Sequence, residues 1–392
     1  MQYIWQNSLW QQHDTPAFKW DDASLASSLQ RVRLKQGQLI EQSDTLSTEN
    51  KAAQLDALIQ TALRTSEIEG ETLNAASVRS SVVRHLGLEQ AGIAASTEPM
   101  FSGTPQTEAL VKLLIEATTH ISQPLSLTTL SQWQANLFPE VPRYQSIIVG
   151  ELRGEAPMQV VSGRIDKPTV HFEAPPRQIL KGEIQRFVTW FNHPPAQLDP
   201  LLRAAIAHLW LITLHPFDDG NGRVTRALTD QALAQAESSS IRFYSLSAAI
   251  MVRRKEYYAQ LEQAQKGNMD ITAWLQWFLS VLDDAITDGL KRFERILNKT
   301  RFWQVHAQTV LSAREIKVLN RLLDTQGEEF LQGVNASKYQ ALAKVSKATA
   351  TRELAGLVQK NCLTKLPGGG RSTRYGLAII TPPNDRRGKN MQ

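Results

Sequence analysis

The chain has 392 residues, of which 42% are hydrophobic and 21% charged, a composition that excludes a disordered protein and allows two or three domains with cores of their own. Its 21 Gly and 17 Pro are too few for a fibrous or low-complexity chain, and its one cysteine, Cys362, excludes an intrachain disulfide and a cysteine-based zinc site, which fits a reducing cytoplasm. The net charge of +5 is uneven: residues 311–392 hold 14 of the 43 Lys and Arg and 6 of the 38 Asp and Glu, a local +8 against −3 elsewhere, so an electrostatic partner such as DNA is to be sought in the last fifth.

In chain order, residues 1–45 carry Trp5, Trp10 and Trp20 and then a helical run from Ala23 to Gln42, an N-terminal extension expected to pack its aromatics on the main body. The N-terminus lacks a basic segment followed by an apolar core and does not read as a signal peptide. A second helix begins at the capping residues Ser47, Thr48 and Glu49 and stops near Gly70, delivering TSEIEGE at its C-terminal end. Helical patterning continues over 73–99 and 105–138. Short β-prone pieces, Gln159 to Val161 and Thr169 to Phe172, then predict a hairpin. Helices resume at Gln178–Phe191, Leu201–Leu214, Arg223–Ala236, Met251–Ala264 and Ile271–Asn298. The most apolar of these, Leu201–Leu214, is too short for a bilayer and contains Arg203 and His208, so it reads as a core helix. The main body, 46–300, is thus mainly α. From 301 to 392 the pattern is three short helices (Ala313–Leu323, Ala336–Lys344, Lys347–Lys360), then Leu363–Leu366, a turn at Gly368–Gly370 and Arg374–Leu377, the layout of a winged helix-turn-helix.

The chemistry concentrates in His215-Pro-Phe-Asp-Asp-Gly-Asn-Gly-Arg-Val-Thr-Arg226, between two apolar helices. Gly220, Asn221 and Gly222 can present bare backbone N–H groups at a helix N-terminus, where the dipole favours an anion. Arg223 and Arg226 are three apart and share a helix face, which suits a polyphosphate. Asp219 beside this cationic nest fits a hard divalent ion bridging carboxylate and phosphates, as Mg2+ does. His215 can accept a proton near neutral pH. The common nucleotide-binding loops are absent.

This stretch resembles the Fic (filamentation induced by cAMP) signature, His-x-Phe-x-[Asp/Glu]-Gly-Asn-Gly-Arg-x-x-Arg, at every fixed position. The resemblance implies a mainly α core with a β-hairpin flap, and protein AMPylation: transfer of AMP from ATP to a Tyr, Ser or Thr hydroxyl of a target protein, with Mg2+ and release of pyrophosphate. It makes His215 the base, Asp219 the Mg2+ ligand, Gly220, Asn221 and Gly222 the phosphate cradle, and Arg223 and Arg226 the groups on the β and γ phosphates. Phe217 would fix the loop in the core. Val160, Val161, Ser162 and Gly163 would form the flap that aligns a target strand, and Tyr257, Tyr258 and Gln265 lie where relatives enclose adenine. Thr65, Glu69 and Gly70 fit the family's inhibitory pattern [Ser/Thr]-x-x-x-Glu-[Gly/Asn], in which a carboxylate paired with Arg226 would displace the γ phosphate and misplace the α phosphate. In some relatives the same Glu supports removal of AMP.

Plainer readings stand beside these. Thr65–Gly70 is also what a helix C-terminus with a Gly stop looks like, and ordinary packing accounts for Tyr257 and Tyr258 as well as adenine contact does. His85, His120, His171 and His208 read as core or surface histidines, Asp218 as solvated, and Arg153 as half of a structural ion pair. In the C-terminal module Lys347, Thr349, Arg352, Arg371 and Arg374 are candidate DNA contacts, while docking of protein or a homodimer is the competing use. The alternative for the whole chain is a DNA-binding transcriptional regulator whose Fic-like core is silent or sensory. A second enzymatic alternative is transfer of a phosphoryl or phosphocholine group.

Overall fold

A computed structural model describes residues 2–11, 15–44, 47–87, 103–140, 147–164, 167–239, 243–324, 333–367 and 373–378. The chain divides into two compact units, Met1–Leu290 and Lys291–Gln392. The first is helical apart from one hairpin. A 3-10 turn (Ile4–Gln6) and a short helix α1 (Ser8–Gln11) lead to α2 (Asp22–Asp44), α3 (Ser47–Ile68) and α4 (Ala75–His85). Then come α5 (Pro105–Thr119), α6 (Leu127–Asn136), strands β1 (Gln159–Arg164) and β2 (Lys167–Glu173), α7 (Arg177–Asn192), α8 (Pro200–Leu214), α9 (Asn221–Ala236), α10 (Leu246–Val252), α11 (Arg254–Gln265) and α12 (Thr272–Val305), whose residues to Leu290 belong to this unit.

Local chemistry sets the breaks that periodicity alone blurred. The run expected over 105–138 is two helices, because Pro124 interrupts it and the Ser126 side chain accepts from the Thr129 N–H to start α6. The run expected from Met251 begins earlier, where Ser245 caps α10, and breaks at Arg253 before α11. In the same way Asn74 caps α4, and Thr104 with Pro105 opens α5.

Helix α8 is the centre of the core: all but two of its 15 residues are buried, and it packs along α9 with the candidate loop between them. Around Trp210 stand Trp10, Phe18, Phe187 and Trp190 with ring centroids 5.4–6.3 Å away, the separations of edge and tilted contacts that add to area burial. The N-terminal segment docks through two of its three tryptophans. Trp5 Nε1 donates to the Glu173 carbonyl at 2.7 Å and Trp10 Nε1 to Glu183 Oε2 at 2.8 Å, whereas Trp20 donates to its own neighbour Asp22. Strands β1 and β2 pair antiparallel with Val160 opposite Phe172 and Ser162 opposite Thr169, and a bulge separates Val160 from Val161. No helix among the described residues is long and apolar enough to cross a membrane.

The second unit holds the end of α12, then α13 (Ala313–Asp324), α14 (Ala336–Ala343), α15 (Lys347–Gln359) and a two-stranded sheet of β3 (Leu363–Lys365) and β4 (Tyr375–Leu377). Its own core gathers Phe302, Val318, Leu319, Leu322, Tyr339, Leu354, Leu357 and Cys362. The Gly368–Gly370 turn and Arg371 lie outside the described residues.

Candidate active site

The loop joining α8 to α9 is built by its own residues. Before Pro216, α8 ends in a left-handed residue, His215 (φ 47°, ψ 59°), an arrangement that few non-glycine residues adopt. His215 Nδ1 stands 3.2 Å from the Ile212 carbonyl, so Nδ1 carries the proton and Nε2 is left with a lone pair. Burial lowers the pKa of His215 below the ordinary imidazole value, against the Ile212 hydrogen bond and the charges of Glu69 and Asp219. The ring is therefore neutral at pH 7 and able to accept a proton.

Phe217 is fully buried, and the Asn221 side chain closes the loop over it, accepting from the Phe217 N–H at 2.9 Å and donating to its carbonyl at 2.7 Å. The Asn221 side chain thus shapes the loop, and only its backbone N–H remains for an anion. Arg153, 1% exposed, forms no ion pair among the described residues: Nε donates to the His215 carbonyl at 2.8 Å and Nη2 to that of Pro175, tying the loop to the chain before α7. Asp218 is engaged too, accepting the Ile148 N–H at 3.0 Å.

A cavity of about 810 Å³ opens above the loop, within the range of small-molecule sites. His215, Asp219, Gly220, Asn221 and Gly222 form one wall, and Tyr257, Tyr258 and Gln265 of α11 another. Val160, Val161 and Ser162 of the hairpin and Glu69 complete it. The two tyrosines divide their labour. Tyr257 is 1% exposed and its hydroxyl meets His208 Nε2 at 2.9 Å, while Tyr258 is 40% exposed and donates to the Ile68 carbonyl at 3.2 Å. His208, a core histidine as expected, also meets Thr229 Oγ1 at 2.8 Å, and burial lowers its pKa to about 3. His171, by contrast, lines the cavity, bonded to Ser162 Oγ at 2.6 Å and to Glu262 Oε2 at 3.0 Å.

Helix α3 brings a carboxylate to the arginines. Arg226, 2% exposed, donates from Nη2 to Glu69 Oε1 at 2.7 Å and from Nε to Thr65 Oγ1 at 2.7 Å. Burial raises the pKa of Glu69, but the Arg226 charge and hydrogen bond, with Arg223 and His215, outweigh it and hold the carboxyl below its ordinary value. A Cβ on Gly222 would lie 2.1 Å from Glu69 Oε1, so that position is bare where the carboxylate sits.

Comparison with known proteins locates this site in a family. Residues 124–233 match the model of the Fic/DOC family, and residues 3–88 match a domain of unknown function, DUF4172. This is a Fic/DOC family protein with an N-terminal DUF4172 domain. Its Fic fold is shared with a crystal structure of a Fic family protein from Desulfovibrio desulfuricans G20, at 17% identity and a TM-score of 0.53, over 94% of this chain and all of that one. A 72-residue segment is 38% identical to proteins named protein adenylyltransferase fic-1 of Caenorhabditis elegans and Caenorhabditis briggsae; it is 18% of this chain and spans 13% of theirs.

The donors in the Fic site suit an anion. Arg226 Nη1 and Arg223 Nε are buried with no hydrogen-bond partner, two cationic donors left open beside the N-terminus of α9. Among the described residues no cluster of three or more His, Cys, Asp or Glu could hold a metal by itself. Asp219, with its side chain 55% exposed, offers the single carboxylate that Mg2+ needs when substrate phosphates fill its other positions. Three contributors escaped sequence reasoning. Arg153 was noticed but given the wrong partner. Gln134, fully buried, bonds the Asp219 carbonyl at 3.3 Å and the Gly150 N–H at 2.6 Å, and Glu71 reaches Arg223. Only spatial proximity reveals the last two.

Proposed function

We propose that the protein is an adenylyltransferase that moves AMP from ATP to a hydroxyl side chain of a target protein and is inhibited by Glu69. The observation that carries this is the convergence in one cavity of a neutral His215, the N-terminus of α9 and a hairpin edge. His215 Nε2 takes the proton of the target hydroxyl. The oxygen bonds to the α phosphorus, the bond from that phosphorus to its bridging oxygen breaks, and pyrophosphate leaves. Asp219 would hold Mg2+, which supplies charge neutralisation to the polyphosphate, while the Asn221 and Gly222 amides, Arg223 and Arg226 bind phosphate oxygens; the Gly220 N–H, the third amide of the cradle, donates to Asp219 Oδ1 at 2.6 Å. The strand Val160 to Gly163, with Val161 and Ser162 exposed, would offer backbone groups to an extended target segment. Tyr258, Tyr257 and Gln265 border the space for the base.

Glu69 supports an internal brake, since its carboxylate occupies Arg226, which a γ phosphate would need. Incubating Glu69→Gly with ATP labelled on the α or on the γ phosphate, in a cell lysate and alone, tests the reaction. Label passing to protein from the α position only is the expected outcome, including on the chain's own hydroxyls. Label from the γ position, or none, rejects AMP transfer.

For residues 301–392 we propose a winged helix, supported by three helices followed by a two-stranded sheet. Lys347 and Arg352 are exposed on α15, the face that would meet DNA, while the Thr349 hydroxyl is shared with the capping Ser346 at 2.9 Å.

A further inference from the structure

Two carboxylates from the end of α3, not one, are turned toward the arginine pair of α9. Arg223 Nη1 stands 3.0 Å from Glu71 Oε1 and 2.9 Å from Oε2, and Asp219 Oδ1 lies 3.8 Å from its Nη2. The Arg223 side chain is 7% exposed and that of Glu71 49%, so the carboxylate covers a buried cation from the solvent side. The backbone fixes its position. The Glu71 N–H bonds back to the Ser66 carbonyl and the Gly70 N–H to that of Glu67, both at 3.0 Å, closing α3 in a Schellman turn. Gly70 supplies the left-handed residue (φ +88°) that the turn requires, and nothing lies within 4 Å of where its Cβ would be. Conformation, not space, calls for glycine there. Across this turn Glu69 and Glu71 reach Arg226 and Arg223, which lie three apart on one helix face.

We infer that Glu71 is a second carboxylate seated where a nucleotide phosphate belongs, and that it weakens binding of nucleoside di- and triphosphates relative to the monophosphate, separately from Glu69. The inference rests on the proposed use of Arg223 as a ligand of the phosphates beyond the α position. A monophosphate has no group to place on Arg223 and leaves the Glu71 contact intact. A di- or triphosphate must displace Glu71, or share the guanidinium with it through the open Nε. Because Glu71 is half-exposed, its hold is modest, whereas the Glu69 pair is more buried, with the Glu69 side chain 32% exposed against 49%.

Calorimetric titration of the full-length protein and its Glu71→Gln variant with ATP, ADP and AMP in the presence of Mg2+ tests this. Glu71→Gln keeps the shape and removes the charge. It is expected to tighten ATP and ADP by roughly three- to tenfold, less at high salt, and to leave AMP within about twofold. Glu71→Ser, which shortens the side chain out of reach, is expected to give the same pattern. Unchanged ATP and ADP affinities, or equal tightening of AMP, overturn the inference. If Glu69→Gly transfers AMP while Glu71→Gln leaves nucleotide binding unchanged, only the role of Glu71 fails. If Glu71→Gln sharpens ATP binding while Glu69→Gly transfers nothing, the role of Glu71 stands and the transferase reading fails.

Discussion

The charges around α9 and those along α15 are handled in opposite ways. Arg226 and Arg223 are 2% and 7% exposed, and each meets a carboxylate delivered from the end of α3. Lys347 and Arg352 stand exposed on a helix whose other face, through Ala350, Leu354 and Leu357, builds the core of the second unit. Burying a guanidinium is costly unless it is paired. The first arrangement therefore stores binding capacity behind an internal partner, while the second leaves positive charge in water, where salt governs it.

The largest effect that can break this contrast is at the base. Replacing His215 by Ala in the Glu69→Gly background is expected to lower AMP transfer by roughly 10²- to 10⁴-fold, read as label incorporation with time, while ATP binding persists. Next is the loop's foundation. Phe217→Ala removes a fully buried ring and is expected to cost about 3–5 kcal/mol in chemical denaturation.

The pH dependence gives a smaller but directional signal. Burial already lowers the His215 pKa, and Glu69 is one of the groups opposing that shift. In Glu69→Gly the imidazole is thus neutral to still lower pH, and the acidic limb of the rate profile is expected below the ordinary value of about 6.5. A limb above that value would show that the ring gains, not loses, a proton in its site. The smallest effect belongs to α15. If the winged-helix reading holds, Lys347→Ala and Arg352→Ala each reduce the salt slope of DNA affinity by about one, measured by fluorescence anisotropy across salt concentrations.

Sequence reasoning reached the loop because its chemistry is local. Twelve consecutive residues carry the histidine, the acidic oxygen, the glycines and both arginines, and the helix ends on either side follow from Pro216 and the apolar periodicity. It reached the hairpin and most helices for the same reason. It did not reach the Glu71 to Arg223 contact, whose partners are 152 residues apart, nor the role of Gln134, a buried amide with no pattern around it. Tyr257 and Tyr258 show the limit within a helix: adjacent residues point about 100° apart, so one enters the core and the other meets the end of α3, and sequence alone does not say which. Arg153 was visible in GELRG, but its partners are carbonyls, which every residue carries.

The central claim is that the anion site is competent and is held back by Glu69. Its most direct test compares AMP transfer from α-labelled ATP by the wild-type protein and by Glu69→Gly at equal concentration. The account predicts low incorporation by the wild type and at least about tenfold more by the variant, the scale of losing one charge-assisted contact on Arg226. Equal incorporation by the two proteins would contradict it.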